Sequence, residues 1–342
     1  MPIDIEGLTA VANTENESRK MDVIFIHGLG GGSHSTWTFQ GDSQNDQFFW
    51  PKELGDTNEQ LGIWTIGYAA GFTNLGDPGM LIEKRARNIG IQLTNRGLGN
   101  RPVVFVTHGM GGLIVKSLIV ANAVLNEEPQ SKLVNRIHGV VFCGTPHRGS
   151  AFATAAGILA VVVGGAQQHV KEMEMNTERL DLDHDKFLAW QKRRPIMIET
   201  YAEGLPLKKK KRIGRPIPLG LVVPRASANP GIGAVKDVDA DHLSLVKPSP
   251  NILPIYDMVF LGVKSFVESA IKWAPPSNWS TQVVDVAQRT IDAFSKDDSQ
   301  RNDLGSAVGK FASSFFTTKP ETSKDGEEED DDPEEKQSAP ND

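Results

Sequence analysis

Short, wholly apolar runs alternate along this chain with longer amphipathic ones. Val23–Ile26 is β-branched and aromatic, bounded by charge and glycine, and predicts a buried strand. Ile63–Tyr68 predicts the next. Between Leu81 and Asn95 the period changes. Leu81, Ile82, Ala86, Ile89 and Leu93 recur at helical spacing, while Glu83, Lys84 and Arg87 keep the other face polar. Val103–Val106 is a strand buried on both faces, and Leu113–Leu125 an apolar helix. Ile137–Cys143 and Ile196–Tyr201 predict further strands, Leu219–Val223 the last one, and Asp257–Trp273 a closing helix. Strands alternating with helices imply a mostly parallel, doubly wound sheet with helices on both faces. In such α/β sheets ligands bind at the carboxyl ends of the strands.

Three segments stand outside this alternation. Ala151–Gly165 is apolar on all sides, so it is either a core helix or a lid over an apolar pocket, with Ala155, Ile158, Leu159 and Val162 available to face a site. Residues 166–195 are polar and helical, and Met173, Leu180, Leu182, Phe187 and Trp190 would pack them down. Lys208–Arg212 is a basic run, best read as a solvated loop; a nuclear-localisation patch or a contact with anionic lipid are the alternatives. The predicted organisation is an amino-terminal segment 1–20, a domain 21–273 with a cap at about 151–195, and a linker with amphipathic helices over 274–316. Residues 317–342, with the acidic run Glu327–Asp332 and no aromatic residue, form a tail predicted to be disordered.

At 342 residues the chain can bury one large core. Its net charge of −7 sits largely in the acidic tail and gives no reason to expect nucleic acid. The single cysteine, Cys143, excludes an internal disulfide and lies in an apolar run as a small hydrophobe. No paired Cys/His spacing suggests a metal, and no cofactor is expected. No apolar run reaches the ~18 residues of a membrane span. Residues 1–20 carry Asp4, Glu6, Glu15 and Glu17, unlike a mitochondrial transit peptide. An intracellular, cytoplasmic protein is the expectation; association with a mitochondrial or endoplasmic-reticulum membrane, or a nuclear location, are alternatives.

The chemistry gathers at strand ends. Thr107-His108-Gly109-Met110-Gly111 occupies the five places of a nucleophile elbow, G-x-S-x-G, a strained strand-to-helix turn that exposes a serine. Glycine stands at the serine's place. His27-Gly28-Leu29-Gly30-Gly31 follows the first strand, and glycines there let backbone N–H groups approach a ligand. Thr36-Trp37 comes next. Gly144-Thr-Pro-His-Arg-Gly149 ends a later strand, Thr200-Tyr-Ala-Glu203-Gly-Leu-Pro206 another, and Asp239-Ala-Asp-His242 follows the last.

This ordered set resembles the lipase-like α/β-hydrolases related to serine-active-site-containing protein 1 and the hydrolase domains of fungal NLR-type receptors, from about residue 7 to about 273. The resemblance implies an α/β-hydrolase fold with a helical lid. It implies Gly109 at the nucleophile position, His242 as base and Glu203 as acid, with the N–H groups of Leu29 and Met110 forming an oxyanion hole. Gly28, Gly30, Thr36, Trp37 and His108 would line the substrate site. Glu199 rivals Glu203 but falls inside a strand; Asp237 and Asp239 read as solvated loop charges. Ser33 and Ser35 read as polar loop residues and are the substitute nucleophiles to weigh. The implied partner is a small-molecule or lipid ester, with peripheral membrane contact through the lid or the carboxyl-terminal helices as a further option. Two classes of function remain: an ester hydrolase that lacks its nucleophile as written, or a pseudohydrolase that binds a ligand or protein.

Overall fold

The computed structural model describes residues 4–43, 46–70, 78–125, 129–163, 178–209 and 215–273. Eleven strands occur among them. These are β1 (Gly7–Ala12), β2 (Met21–Ile26), β3 (Thr38–Gln40), β4 (Gln47–Phe49), β5 (Leu61–Gly67) and β6 (Val103–His108), then β7 (Ile137–Cys143), β8 (Met197–Glu203), β9 (Leu207–Lys209), β10 (Ile217–Gly220) and β11 (Val235–Val238). Seven of them form one sheet in the order β1-β5-β2-β6-β7-β8-β11. β1 runs antiparallel to β5, and every other described pairing in this sheet is parallel.

All six residues of β2 and all six of β6 are buried, as expected of strands covered on both faces. Alternate side chains divide between two cores. Ile24, Ile26 and Phe105 join the cluster under α2 (Pro78–Asn95), α3 (Met110–Leu125), α5 (Gly149–Val163) and α6 (Glu178–Arg193). Val23, Phe25, Val104 and Val106 face the other cluster, under α1 (Trp50–Asp56) and α7 (Gly262–Lys272). α4 (Gln130–Asn135) adds Leu133 and Val134 to the first cluster. The α7 helix is entered through a turn, Leu253–Ile255, and a π-helical stretch, Tyr256–Leu261.

The parallel register aligns the strand ends. Ile26 pairs with Thr107, His108 with Cys143, Cys143 with Tyr201, and Val238 with Glu203. The residues that follow β2, β6, β7, β8 and β11 therefore share one edge of the sheet.

The structure departs from the sequence reading at four places. The expected last strand, Leu219–Val223, is not in the main sheet. Its first residues belong to β10, which pairs with β9 in a separate ribbon, and Gly220 then turns the chain at φ +96°. The true last strand is β11, whose Val-Lys-Asp-Val carries charge because it is a sheet edge. Residues 7–12, placed in an amino-terminal segment, form the opposite edge strand β1. Leu182, expected to pack the cap, is 52 % exposed, whereas Leu180 and Phe187 are buried. The basic run falls partly on the β9 ribbon, and residues 210–214 lie outside the described residues, as do Met173 and everything assigned to the linker, helical tail and acidic tail. No helix among the described residues is long and apolar enough to cross a membrane.

Candidate active site

β6 ends at His108 and α3 begins at Met110, leaving one residue for the turn. That residue, Gly109, has φ +51°, the left-handed region where side chains are strained. Its N–H donates to the Cys143 carbonyl at 3.0 Å and its carbonyl accepts from Gly112 N–H at 3.2 Å, so the turn is held from both sides. A Cβ added at Gly109 would lie 3.5 Å from His242 Nε2 and 3.8 Å from the Gly28 Cα. The space at position 109 thus opens onto the histidine ring and the glycine loop together.

His242 comes from the loop after β11 and is 2 % exposed. Its Nδ1 lies 2.6 Å from Glu203 Oε2. Glu203, the last residue of β8, is equally buried, and its other oxygen accepts the backbone N–H groups of Val222 and Val223, the latter at 3.0 Å. The run mistaken for a strand therefore supplies the donors that fix this carboxylate. With Nδ1 and the carboxylate paired, His242 Nε2 faces position 109 and has no hydrogen-bond partner among the described residues.

Two further groups hold the ring. His108 Nε2 lies 3.0 Å from the His242 carbonyl, and the two rings tilt together at 4.5 Å. Burial first, then the neighbouring His242, pushes the His108 pKa well below its usual value. A neutral His108 with its proton on Nε2 donates to that carbonyl. The second is Gly144, at φ +54°, where a Cβ would come within 3.0 Å of His242 Cε1 and Nδ1. Only a glycine leaves the imidazole its seat.

The loop after β2 is fixed by His27. Its ring stacks on Tyr68 at 4.2 Å, its Nε2 accepts Tyr68 N–H at 3.3 Å, and its Nδ1 lies 2.9 Å from the Gly28 carbonyl. Burial lowers the His27 pKa to about 4, so the ring is neutral near pH 7 with its proton on Nδ1. Gly30 N–H donates to Ala70 O at 2.9 Å, and Gly32 N–H to Thr36 Oγ1 at 3.0 Å.

Leu29, Gly109, Met110 and His242 border one cleft, closed by Pro146, Val223 and a face of α5: Phe152, Ala155, Ala156 and Leu159. Its enclosed space is only about 10 Å3, room for about one water, and the rest of the opening is solvent. The four α5 residues recur at helical spacing and also belong to the first core cluster, so one face of the apolar helix serves as both core and cleft wall. Ile158 and Val162 do not border the cleft. Nor do Thr36 and Trp37. Thr36 braces the glycine loop, and Trp37 packs edge-on against Phe25 and Trp50 in the second core. Gly28 abuts position 109, while Gly30 and His108 act as loop and ring supports. Phe152, Ala156, Val223 and Gly144 were not singled out from the sequence, although Gly144 opens the quoted Gly-Thr-Pro-His-Arg-Gly motif.

The rival residues are otherwise engaged. Glu199 accepts Tyr201 O–H and, at 2.7 Å, Lys236 Nζ. Asp237 pairs with Arg225. Ser33 Oγ accepts Ile5 N–H at 3.0 Å, and Ser35 Oγ donates to Asp4 Oδ2 at 2.6 Å. Cys143 is buried, and burial raises its thiol pKa. No group of side chains suited to a metal ion occurs among the described residues.

Strand order, elbow and the Glu–His pair at the carboxyl edge are those of an α/β-hydrolase. Within that class the chain belongs to the lipase-like group related to protein SERAC1. It is 32 % identical to the human protein of that name over 248 residues, covering 67 % of this chain and 36 % of that protein. It is 30 % identical to the Danio rerio protein over 254 residues, covering 68 % and 37 %. The chain thus spans about a third of the length of the curated relatives it matches. No family model matches it. Among solved structures, a lipase-esterase related protein from Clostridium acetobutylicum aligns with TM-score 0.40 and 14 % identity, covering 77 % of this chain and 98 % of that one. Brefeldin A esterase, described as a bacterial homologue of human hormone sensitive lipase, aligns with TM-score 0.40 and 13 % identity, covering 80 % of each.

Proposed function

We propose that the domain is a carboxylic-ester hydrolase framework whose nucleophile position is held by glycine, so that as written it binds but does not turn over esters. One observation carries this reading: His242 Nδ1 lies 2.6 Å from Glu203 Oε2, and a Cβ at position 109 would lie 3.5 Å from His242 Nε2. A serine at 109 would place Oγ within hydrogen-bond reach of His242 Nε2, which would take its proton as the oxygen attacks the ester carbonyl. Glu203 would hold the imidazole with its proton on Nδ1 and stabilise the imidazolium. The N–H groups of Leu29 and Met110 would receive the developing oxyanion; Met110 opens α3, where backbone donors have no partner within the helix. The apolar wall of α5 suits an apolar acyl chain, lipid esters included.

Glycine has no attacking atom. The chain should neither hydrolyse p-nitrophenyl esters nor be labelled by a fluorophosphonate. Gly109→Ser should confer both, and adding His242→Ala should remove them. Labelling of the unaltered chain at Ser33 or Ser35 would overturn the assignment of the nucleophile position. An inert, folded Gly109→Ser protein would favour the second reading, a pseudohydrolase serving as a binding or signalling domain. The left-handed φ of Gly109 supports that alternative, because glycine relieves backbone strain that a serine there would bear.

A further inference from the structure

The β9–β10 ribbon stands apart from the main sheet, and nothing in the functional reading uses it. Both its ends lead to one side chain. β9 begins four residues after Glu203, and β10 ends two residues before Val222, whose N–H donates with that of Val223 to the Glu203 carboxylate. Leu207 is buried in the first core, and Leu205 N–H donates at 3.1 Å to the Ala240 carbonyl, on the loop that carries His242. The ribbon is thus rooted at the carboxyl edge of the sheet, beside the cleft that Val223 borders.

Beyond that root its surface is cationic and aliphatic. Lys208, Lys209 and Arg215 are exposed, and none has an ion-pair partner among the described residues. The next cations along the chain, Arg225 and Lys236, are paired with Asp237 and Glu199. No Asp or Glu occurs between Glu203 and Asp237. One acid, Asp239, comes near the root, where a Cβ at Gly204 would lie 3.7 Å from its Oδ1. Leu205 is 46 % exposed and Ile217 41 %. Ile217 stands opposite Lys209, and Pro218 opposite Lys208, so each of these lysines has an apolar side chain beside it on the same face.

We propose that this ribbon docks on an anionic lipid bilayer. The three cations would meet the headgroup phosphates and carboxylates. Leu205 and Ile217 would enter the layer just beneath, with the lysine stems lying along apolar ground and their charged ends in the headgroups. A docked ribbon holds the cleft beside the lipid surface, because Val222 and Val223 tie it to Glu203. The proposal goes beyond the reading of position 109 and does not depend on it. Other partners fit less. Single-stranded nucleic acid stacks its bases on aromatic side chains, and residues 204–220 contain none. Duplex phosphates would take the cations but would not bury Leu205 or Ile217. A strand added by a protein partner needs a row of backbone donors, and Pro216 and Pro218 lack them.

The test is flotation of the full chain with vesicles of phosphatidylcholine alone and of an equal mixture with phosphatidylserine. Binding to the mixed vesicles is expected, at least about tenfold tighter than to the neutral ones, and it should weaken as salt screens the charges. Each cation at an anionic surface contributes a factor of about five, so Lys208→Gln, Lys209→Gln and Arg215→Gln combined should cost on the order of a hundredfold. Lys20→Gln, Lys52→Gln and Lys132→Gln combined make the same charge change at other exposed sites and should leave binding nearly intact. Leu205→Ser with Ile217→Ser should weaken binding about tenfold without altering its salt dependence. Circular dichroism checks the fold of each variant. An environment-sensitive fluorophore on Ile217→Cys reports the contact itself, since Cys143 is buried and does not compete for the label. Its emission should move to the blue with mixed vesicles and stay in place with neutral ones. Equal binding to both vesicles, an unmoved fluorophore, or equal loss in the two charge variants would overturn the proposal. So would binding of a single-stranded oligonucleotide as tight as that of the mixed vesicles. Failure here is separable from failure at position 109, because flotation needs no turnover.

Discussion

Glu203 shows how one residue's surroundings decide its use. Its carboxylate meets His242 with one oxygen and two backbone N–H groups with the other. Glutamine would keep an acceptor for Val222 and Val223 but would turn a donor towards Nδ1, forcing the imidazole proton onto Nε2, where no base is then left. In a Gly109→Ser background, Glu203→Gln should lower kcat by about 10³–10⁴-fold with little change in KM. Steady-state kinetics on a p-nitrophenyl ester check this, and a loss below tenfold would remove Glu203 from the acid's role. The choice between Glu203 and Glu199 was open to sequence reasoning because strand geometry separates them. Four residues earlier on an extended strand is roughly 13 Å from its carboxyl end. What stayed hidden was the role of Gly144. Its motif was visible, but nothing local announces that it seats a ring contributed nearly a hundred residues later.

At the scale of elements, α3 joins the site to the cap helix α6. Lys116, 1 % exposed on α3, donates to the His147 carbonyl and to His184 Nδ1, each at 3.0 Å. Burial lowers the Lys116 pKa to about 7, against weaker support from Asp181, Asp183 and Asp185. Burial, then Lys116, lowers His184 to about 3, so that ring is a neutral acceptor at neutral pH. For a lysine the sign follows directly. Between pH 7 and about 10 the unfolded chain holds a proton that the folded chain has released, so this group makes stability rise with pH. Relative to Lys116→Met, the unaltered chain should gain up to about 1.4 kcal/mol of unfolding free energy per pH unit in that window. Calorimetric unfolding of both proteins from pH 7 to 10 measures the difference. Parallel pH profiles would mean that Lys116 stays charged when folded. The sequence displayed the central elements because strands buried on both faces are apolar without interruption. The edges were illegible for the converse reason. β1 and β11 have one paired side and partly exposed faces, so their composition resembles a loop, whereas Leu219–Val223 resembles a strand yet serves as a donor turn.

For the whole molecule, the amino-terminal residues are part of the site's support. Asp4 accepts the N–H groups of His34 and Ser35 and the Ser35 hydroxyl, and Ile5 N–H reaches Ser33. These contacts tie the end of the glycine loop to the segment that leads into β1. Burial acts to raise the Asp4 pKa, but the hydrogen bonds from Ser35 and His34 outweigh it and the net shift is downward. Its contribution is therefore present at neutral pH and lost as acid titrates the carboxylate. Asp4→Ala should lower stability by about 1 kcal/mol, a modest figure because the carboxylate is exposed. In the Gly109→Ser background it should cut kcat by about tenfold, since the Leu29 donor loses its fixed position. A drop in Tm with unchanged kcat would limit Asp4 to a stabilising part.

The sheet order has a consequence for the time at which the site exists. β2, made early, lies between β5 and β6, and the glycine loop it carries faces an elbow that is synthesised some eighty residues later. The base arrives last of all, after β11 has closed the sheet against β8. Position 109 and the glycine loop can be in place on a nascent chain, but no amino-terminal fragment that stops short of residue 242 carries the ring that faces them. Whatever the cleft holds, it can hold it only once the domain has been made through that histidine.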